Sequence, residues 1–579
     1  MKKYLVSITI VAAFYANQAN AQDDKNKKNN TVGTEVVNVT SEYQATLNDA
    51  FKINDNPLIE DQDINQKKTV KYTIFSVPVA STFAPAKGEA APVDNDSLAN
   101  FYNNYALLGY GNFNTIRGEL GIVEQIGSKN MYVGGLLKHL SSDGDKNLDG
   151  VELENSYSKS NLDFMLGQHN ENNQWNAQFG AMTSKYNWYG TPSDFYVSNF
   201  NFDMVDPLQK YGDVHVGASY ENYTGAFEKA AVSYKYFWDD YSSKESRFIF
   251  APKFNIELPE QTVHINFEAD YLNTQFAENG IDNKQDKYNY LNLSVNPSIK
   301  FFDTDYSVEL GAGLTYILGK ERGVEDNALV IYPMVKANFN LVPDIVQAYA
   351  GAVGGVKQNS YADLAEENPF VAPSLVLRPT QTKFDLYAGM KGKLYHNLSY
   401  NVRVNYKTED DKAMFTINPY DINLQNKQGY QYGNSFGLIY DKVNTLSLFG
   451  ELNFDFSDKA KIGISGEYNN YSVENYENAF HLPQGKINLN VLYNFTNQWF
   501  ANADLGYVGQ RYEFGGTTVN DLKLGDYYDL NLTVGYRPTA QWTVFLKGMN
   551  LANENYYRFN QYRVQGLQIL GGAMYKFDF

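Results

Sequence analysis

"LSLFGELNFDF", Leu446 to Phe456, decides the fold of this chain. Leu446, Leu448, Leu452, Phe454 and Phe456 fall on one face of an extended backbone, and Ser447, Glu451, Asn453 and Asp455 on the other. Successive side chains of a strand point to opposite faces, so this pattern describes a strand lying between two unlike environments. "KINLNVLYNF" repeats it: Ile487, Leu489, Val491 and Tyr493 oppose Asn488, Asn490 and Asn494. So do Leu530, Leu532, Val534 and Tyr536 against Asn531, Thr533 and Gly535. Alternating runs of this kind continue from Tyr105 to the end of the chain.

A soluble sandwich also alternates, and the turns separate the two cases. Ten short polar turns punctuate the chain, among them "GSKN" at Gly127, "LPEQ" at Leu258, "YHNL" at Tyr395 and "PTAQ" at Pro538. Between them lie mostly longer polar loops, including 141–158, 186–209, 357–380 and 408–433. Short turns at one end and long loops at the other characterise a transmembrane β-barrel of the outer-membrane type. In lipid every backbone group must pair within the protein, so a spanning sheet has to close. Ten short turns with both termini on their side give 22 strands. Residues 105–579 then allow about 22 residues for each strand and loop, enough for a spanning strand of roughly 9–11. The expectation is an all-β fold: an antiparallel barrel of about 22 strands behind an extended periplasmic N-terminal segment.

The aromatic residues agree. They make up 15% of the chain, with 47 Tyr and 36 Phe but only five Trp. Trp175, Trp499 and Trp542 follow short turns, whereas Trp188 and Trp238 stand at the far strand ends, as interfacial girdles require. The final "GGAMYKFDF" puts Tyr575, Phe577 and Phe579 on one face, an edge that needs pairing or lipid.

The remaining bulk properties bound the function. Mean hydropathy is −0.46, and no apolar run reaches the 18 residues of a membrane helix. Lys2, Lys3, the apolar Tyr4–Tyr15 and Ala19-Asn20-Ala21 form a signal peptide over 1–21, which sends the mature chain out of the cytoplasm. The lack of cysteine excludes disulfides and thiolate metal sites. A net charge of −18 argues against nucleic acid as a partner.

Tyr527 to Tyr557, "YYDLNLTVGYRPTAQWTVFLKGMNLANENYY", resembles the penultimate hairpin of TonB-dependent receptors, with an N-L-x-N-x-x-Y element at Asn550, Leu551, Asn553 and Tyr556. "PQGKINLNVLYNF" and the terminal strand look like the same family. The resemblance is specific over roughly the last 200 residues. It implies a 22-strand barrel in the Gram-negative outer membrane and energised import of a ligand. "TEVVNVT" resembles that family's TonB box at Glu35, Val36, Val37, Val39 and Thr40, with Asn38 departing from the pattern. Such a box implies a periplasmic TonB-type energy transducer as partner, engaged by adding a strand to its sheet.

The family's folded plug has no counterpart here. Residues 22–104 are few and polar, and fit an extended periplasmic segment or a reduced plug, with "KYTIFSVPVASTF" expected against the inner wall. "TIRGE" (Thr115–Glu119) carries the I-R-G triplet seen in plugs but sits in a candidate barrel strand. A second reading follows from the missing plug: a scaffold or subunit bound to outer-membrane partner proteins.

Chemical motifs are sparse. Asp145, Asn147 and Asp149 with Gly150 have calcium-loop spacing, and Glu152 or Glu154 would stand in for the twelfth-position acid, where Ser156 is found. A solvated acidic turn explains the same residues. The six histidines show no i, i+4 pair, and no hydrolase, zincin or P-loop motif occurs. The chain does not read as an enzyme.

Overall fold

The structure, a computed structural model, describes residues 102–579 apart from 128–129, 146, 149–150, 153, 194, 196–200, 279–284, 344, 425, 457–458 and 517–519. The signal peptide, the TonB-box-like stretch Glu35–Thr40 and the "KYTIFSVPVASTF" stretch lie outside the described residues.

Twenty-two antiparallel strands run in chain order from Asn104–Gly111 to Gln568–Phe577, each paired with its sequence neighbours. The last returns to the first, with Asn104 opposite Phe577 and Gly111 opposite Leu570, so the sheet has no edge. At all ten places where the sequence sets a short turn the flanking strands pair as a hairpin, and both strand termini lie at that end of the barrel. The opposite end carries the longer connections. Two of those are tight, Asn112–Asn114 and Asp240–Ser243. The strands Leu398–Ile417 and Phe436–Phe456 have 20 and 21 residues, well beyond what a bilayer needs, and project past it. This moves the expected loop 408–433 to 418–435: Asp410 and Asp411 belong to the strand, at a bulge where Asp411 adopts φ 52°.

The two faces are as the alternation demands. Leu446, Leu448 and Leu452 are 46%, 61% and 44% exposed outward, while Thr445 and Ser447 are 1% exposed on the lumen side. Leu532 points out between the buried Asn531 and Thr533. Trp238, Trp499 and Trp542 stand exposed at strand ends, in girdle positions. Trp188 does not. It lies buried among Tyr241 and Tyr430 at ring distances of 5.4 and 5.6 Å, part of an aromatic core at the long-loop end.

The N-L-x-N-x-x-Y element is a turn that caps itself. Asn550 and Asn553 take φ 46° and 49°, conformations that asparagine tolerates better than most residues. Asn550 accepts from the Glu554 amide and donates to the Gln565 carbonyl, and Asn553 accepts from the Leu567 amide. Tyr556 stacks on Tyr527 at 4.1 Å.

Leu448→Arg is expected to destabilise the barrel by about 2–4 kcal/mol, the cost of a cation near the bilayer midplane. Asn488→Arg, on the lumen face, should change stability little. Reversible urea unfolding from lipid vesicles reads both, and equal effects would reject the inside-out assignment.

Candidate functional site

The site is the lumen at the long-loop end, and residues 358–379 shape it. These residues fold inward rather than forming the solvated loop expected from their length. Ser360 caps a short helix, Tyr361–Glu367, its hydroxyl accepting from the Asp363 amide at 3.1 Å. Tyr361, Ala362, Leu364 and Ala365 are buried, and Asn368 and Pro369 end the helix. Val371 then bridges to Phe436: the Ala372 amide donates to the Phe436 carbonyl at 2.8 Å, and the Phe436 amide to the Phe370 carbonyl at 2.9 Å.

The barrel wall holds this segment with charge. The Glu245 carboxylate accepts from the Tyr361 amide at 2.7 Å, the Ala362 amide at 3.1 Å and the Thr274 hydroxyl at 2.7 Å, satisfying donors at the helix start. Arg247 grips Asp270 with two N–H groups, at 3.0 and 2.7 Å, and Asp363 of the helix with a third at 2.8 Å. Tyr361 donates to Asp239 at 2.7 Å; burial, aided by that carboxylate, lifts its phenol far above the usual range, so it stays a donor. Arg378 pairs with Glu321 at 2.8 Å at the segment's exit.

Aromatic packing fills the rest. Phe237 and Phe276 meet the Tyr361 ring edge-on at 5.2 and 5.0 Å, and Phe370 stacks on Tyr562 at 3.6 Å. The hydroxyl of Tyr562 donates to the carbonyl of Asn434, joining two further long loops to this core. The segment therefore occupies one side of the lumen. Beside it lies a cavity of about 920 Å³, bordered by the helix residues Asp363, Glu366 and Glu367 and by wall residues such as Arg117, Lys138 and Lys486. The signal for infolding was present in the sequence: a capped amphipathic turn followed by the apolar "PFVAPSLVL".

Of the sequence candidates, Thr115–Glu119 sits in a barrel strand, where Arg117 and Glu119 pair at 2.7 Å inside the lumen. Asp145 and Glu154 are described; Asp149 and the side chain of Asn147 fall outside. Among the described residues no group of three or more His, Asp or Glu side chains could hold a metal ion. Two histidines have carboxylate partners: His481 meets Glu513 at 2.8 Å, and His215 lies between its near neighbour Asp213 at 2.8 Å and Asp163 at 3.2 Å. The Thr416 hydroxyl donates to Glu513 rather than to His481, so this group is a structural anchor, not a nucleophile with its base.

No family model and no curated protein sequence matches this chain. Solved structures do. The ferric-catecholate import receptor Fiu of Escherichia coli K12 superposes with a TM-score of 0.60 at 11% identity, over 83% of this chain and 82% of that one. The siderophore receptor PirA of Acinetobacter baumannii gives 0.61 at 10%, over 83% and 81%. The FrpB iron transporter of Neisseria meningitidis gives 0.60 at 10%, over 83% and 82%. These are transport receptors rather than enzymes. The closed sheet, its strand number and these superpositions identify the fold of this chain as the 22-strand barrel of TonB-dependent outer-membrane receptors.

Proposed function

We propose that this chain is a receptor-like transporter of the Gram-negative outer membrane, importing its ligand through the lumen with energy from a TonB-type periplasmic protein. The observation that carries the reading is the barrel itself: a lipid-facing 22-strand cylinder whose lumen is narrowed by a folded segment instead of lying open. The transport receptors that share the fold support the same reading.

The coupling element proposed is Glu35–Thr40, which offers its backbone to a partner sheet. Val37→Pro removes one ladder N–H and should abolish capture of the purified chain by the transducer's periplasmic domain. Asn38→Val, which restores the apolar side chain, should bind at least as well as wild type. Capture of the proline variant at wild-type strength would sink the assignment.

A further inference from the structure

Two cavities adjoin beside the inner helix. The larger, about 920 Å³, and a smaller one of about 430 Å³ share Lys357, Glu409, Lys412 and Lys486 in their walls. Eight lysine and arginine residues against five acidic ones border the larger, and four lysines against two glutamates the smaller. The chain as a whole carries −18, so this excess of cations is local and opposite in sign.

Most of the carboxylates there are already committed. Glu409 pairs with Lys407 at 2.6 Å and Lys412 at 2.8 Å, Glu119 with Arg117, Glu366 with Lys159 at 3.3 Å, and Asp363 with Arg247. Three of the lysines are not. The side chains of Lys138, Lys357 and Lys486 make no ion pair or hydrogen bond among the described residues. Arg511, 4% exposed, donates to the carbonyls of Gly525 and Tyr557, with no carboxylate to neutralise it; burial pulls its pKa down.

Uncompensated like charges converging in a confined space repel one another, and low-dielectric walls strengthen their field. An oxyanion relieves both costs, because each ammonium offers three donors and a carboxylate or phosphate accepts several. A ligand with a single charge would meet one lysine; the unpaired Lys357 and Lys486, both in the walls of the shared seam, suit more than one anionic group.

We propose that the seam between the two cavities, at the unpaired Lys357 and Lys486, binds a multivalent oxyanion: a solute bearing two or more carboxylate or phosphate groups. The assignment rests on the transport reading for the solute's passage and deepens it by naming the solute's chemical class. Binding itself needs no energised partner, so failure at this site leaves the coupling reading intact, and the reverse holds.

The test is calorimetric titration of the full mature chain in detergent, at fixed ionic strength, with pyrophosphate and citrate as probes and choline as the cationic control. Saturable binding of either anion and none of choline is the expected result. Lys357→Gln and Lys486→Gln should each weaken it about tenfold or more, with the heat-modifiable mobility of the folded barrel unchanged. Lys210→Gln, which removes an exposed cation paired with Asp240, should leave it untouched. No binding by the full chain, or binding that survives both lumen substitutions, overturns the proposal. Binding seen only after deletion of residues 22–101 also overturns it, and assigns these cations to that acidic stretch of the same chain.

Discussion

Arg247→Met is expected to cost about 3–5 kcal/mol and to release residues 358–379 from the barrel wall, because it strips the cation from the buried Asp270 carboxylate and from the more exposed Asp363 that it shares. The Asp270 side chain is 6% exposed, and its fork of two hydrogen bonds to Arg247 has no substitute in a methionine. Asp363 loses its tie to the wall at the same moment. Glu245, whose carboxylate caps the helix amides, would then face Asp363 without the neighbouring guanidinium. Methionine keeps most of the stem's volume, so lost packing contributes little and the change reports charge. Hydrogen exchange reads it locally: the amides of Tyr361, Ala362 and Leu364 should lose protection while those of Leu446–Phe456 keep theirs. The exposed pair Lys210–Asp240 calibrates the scale, and Lys210→Met should shift stability by no more than about 1 kcal/mol. Unchanged protection of the Tyr361 amide in Arg247→Met would show that aromatic packing alone holds the segment.

The barrel was legible in the sequence because both of its signals are local. Alternation in Leu446–Phe456 and the brevity of turns such as Leu258–Gln261 depend only on residues near one another, and lipid on one side fixes which face is greasy. The register follows, since a slip by one residue would turn Leu448 inward. What was not legible is how the lumen is filled. The helix Tyr361–Glu367 announces a face that must be buried, yet nothing near it says that Phe237 and Phe276 supply the partner surface. Trp188 failed for the same reason: its place beside a loop matches a girdle, and only the fold brings Tyr430 across to bury it. The strand Leu398–Ile417 outran its expected end because polar residues beyond the bilayer, such as Thr408 and Glu409, still pair in a ladder that no longer needs lipid. Lys357, Lys412 and Lys486 come from separate strands, and closure of the barrel is what makes them neighbours of one cavity.

Excising residues 360–377 and joining the stumps with Asn-Gly should raise ion conductance in planar bilayers several-fold. The graft is geometrically mild. Lys357 and Thr380 are direct partners across the two strands that the segment connects, so a tight hairpin turn can replace it. The barrel should survive, because its backbone ladder closes through strand pairs that do not involve the segment, apart from one bridge to Phe436. What disappears is bulk within the lumen: Tyr361, Leu364, Val371, Leu375 and Leu377, all fully or nearly buried against the strands. Their removal leaves Phe237, Phe276 and Tyr290 facing water, a loss of apolar burial that should also lower the unfolding midpoint. The two readouts discriminate. If the segment is the main obstruction on its side of the barrel, conductance rises even as stability falls. If it only buttresses the wall, stability falls and conductance stays. Recording the excised and intact chains both with and without residues 22–101 removes whatever that stretch contributes, so a conductance ratio near one in both backgrounds would assign the segment a purely structural role.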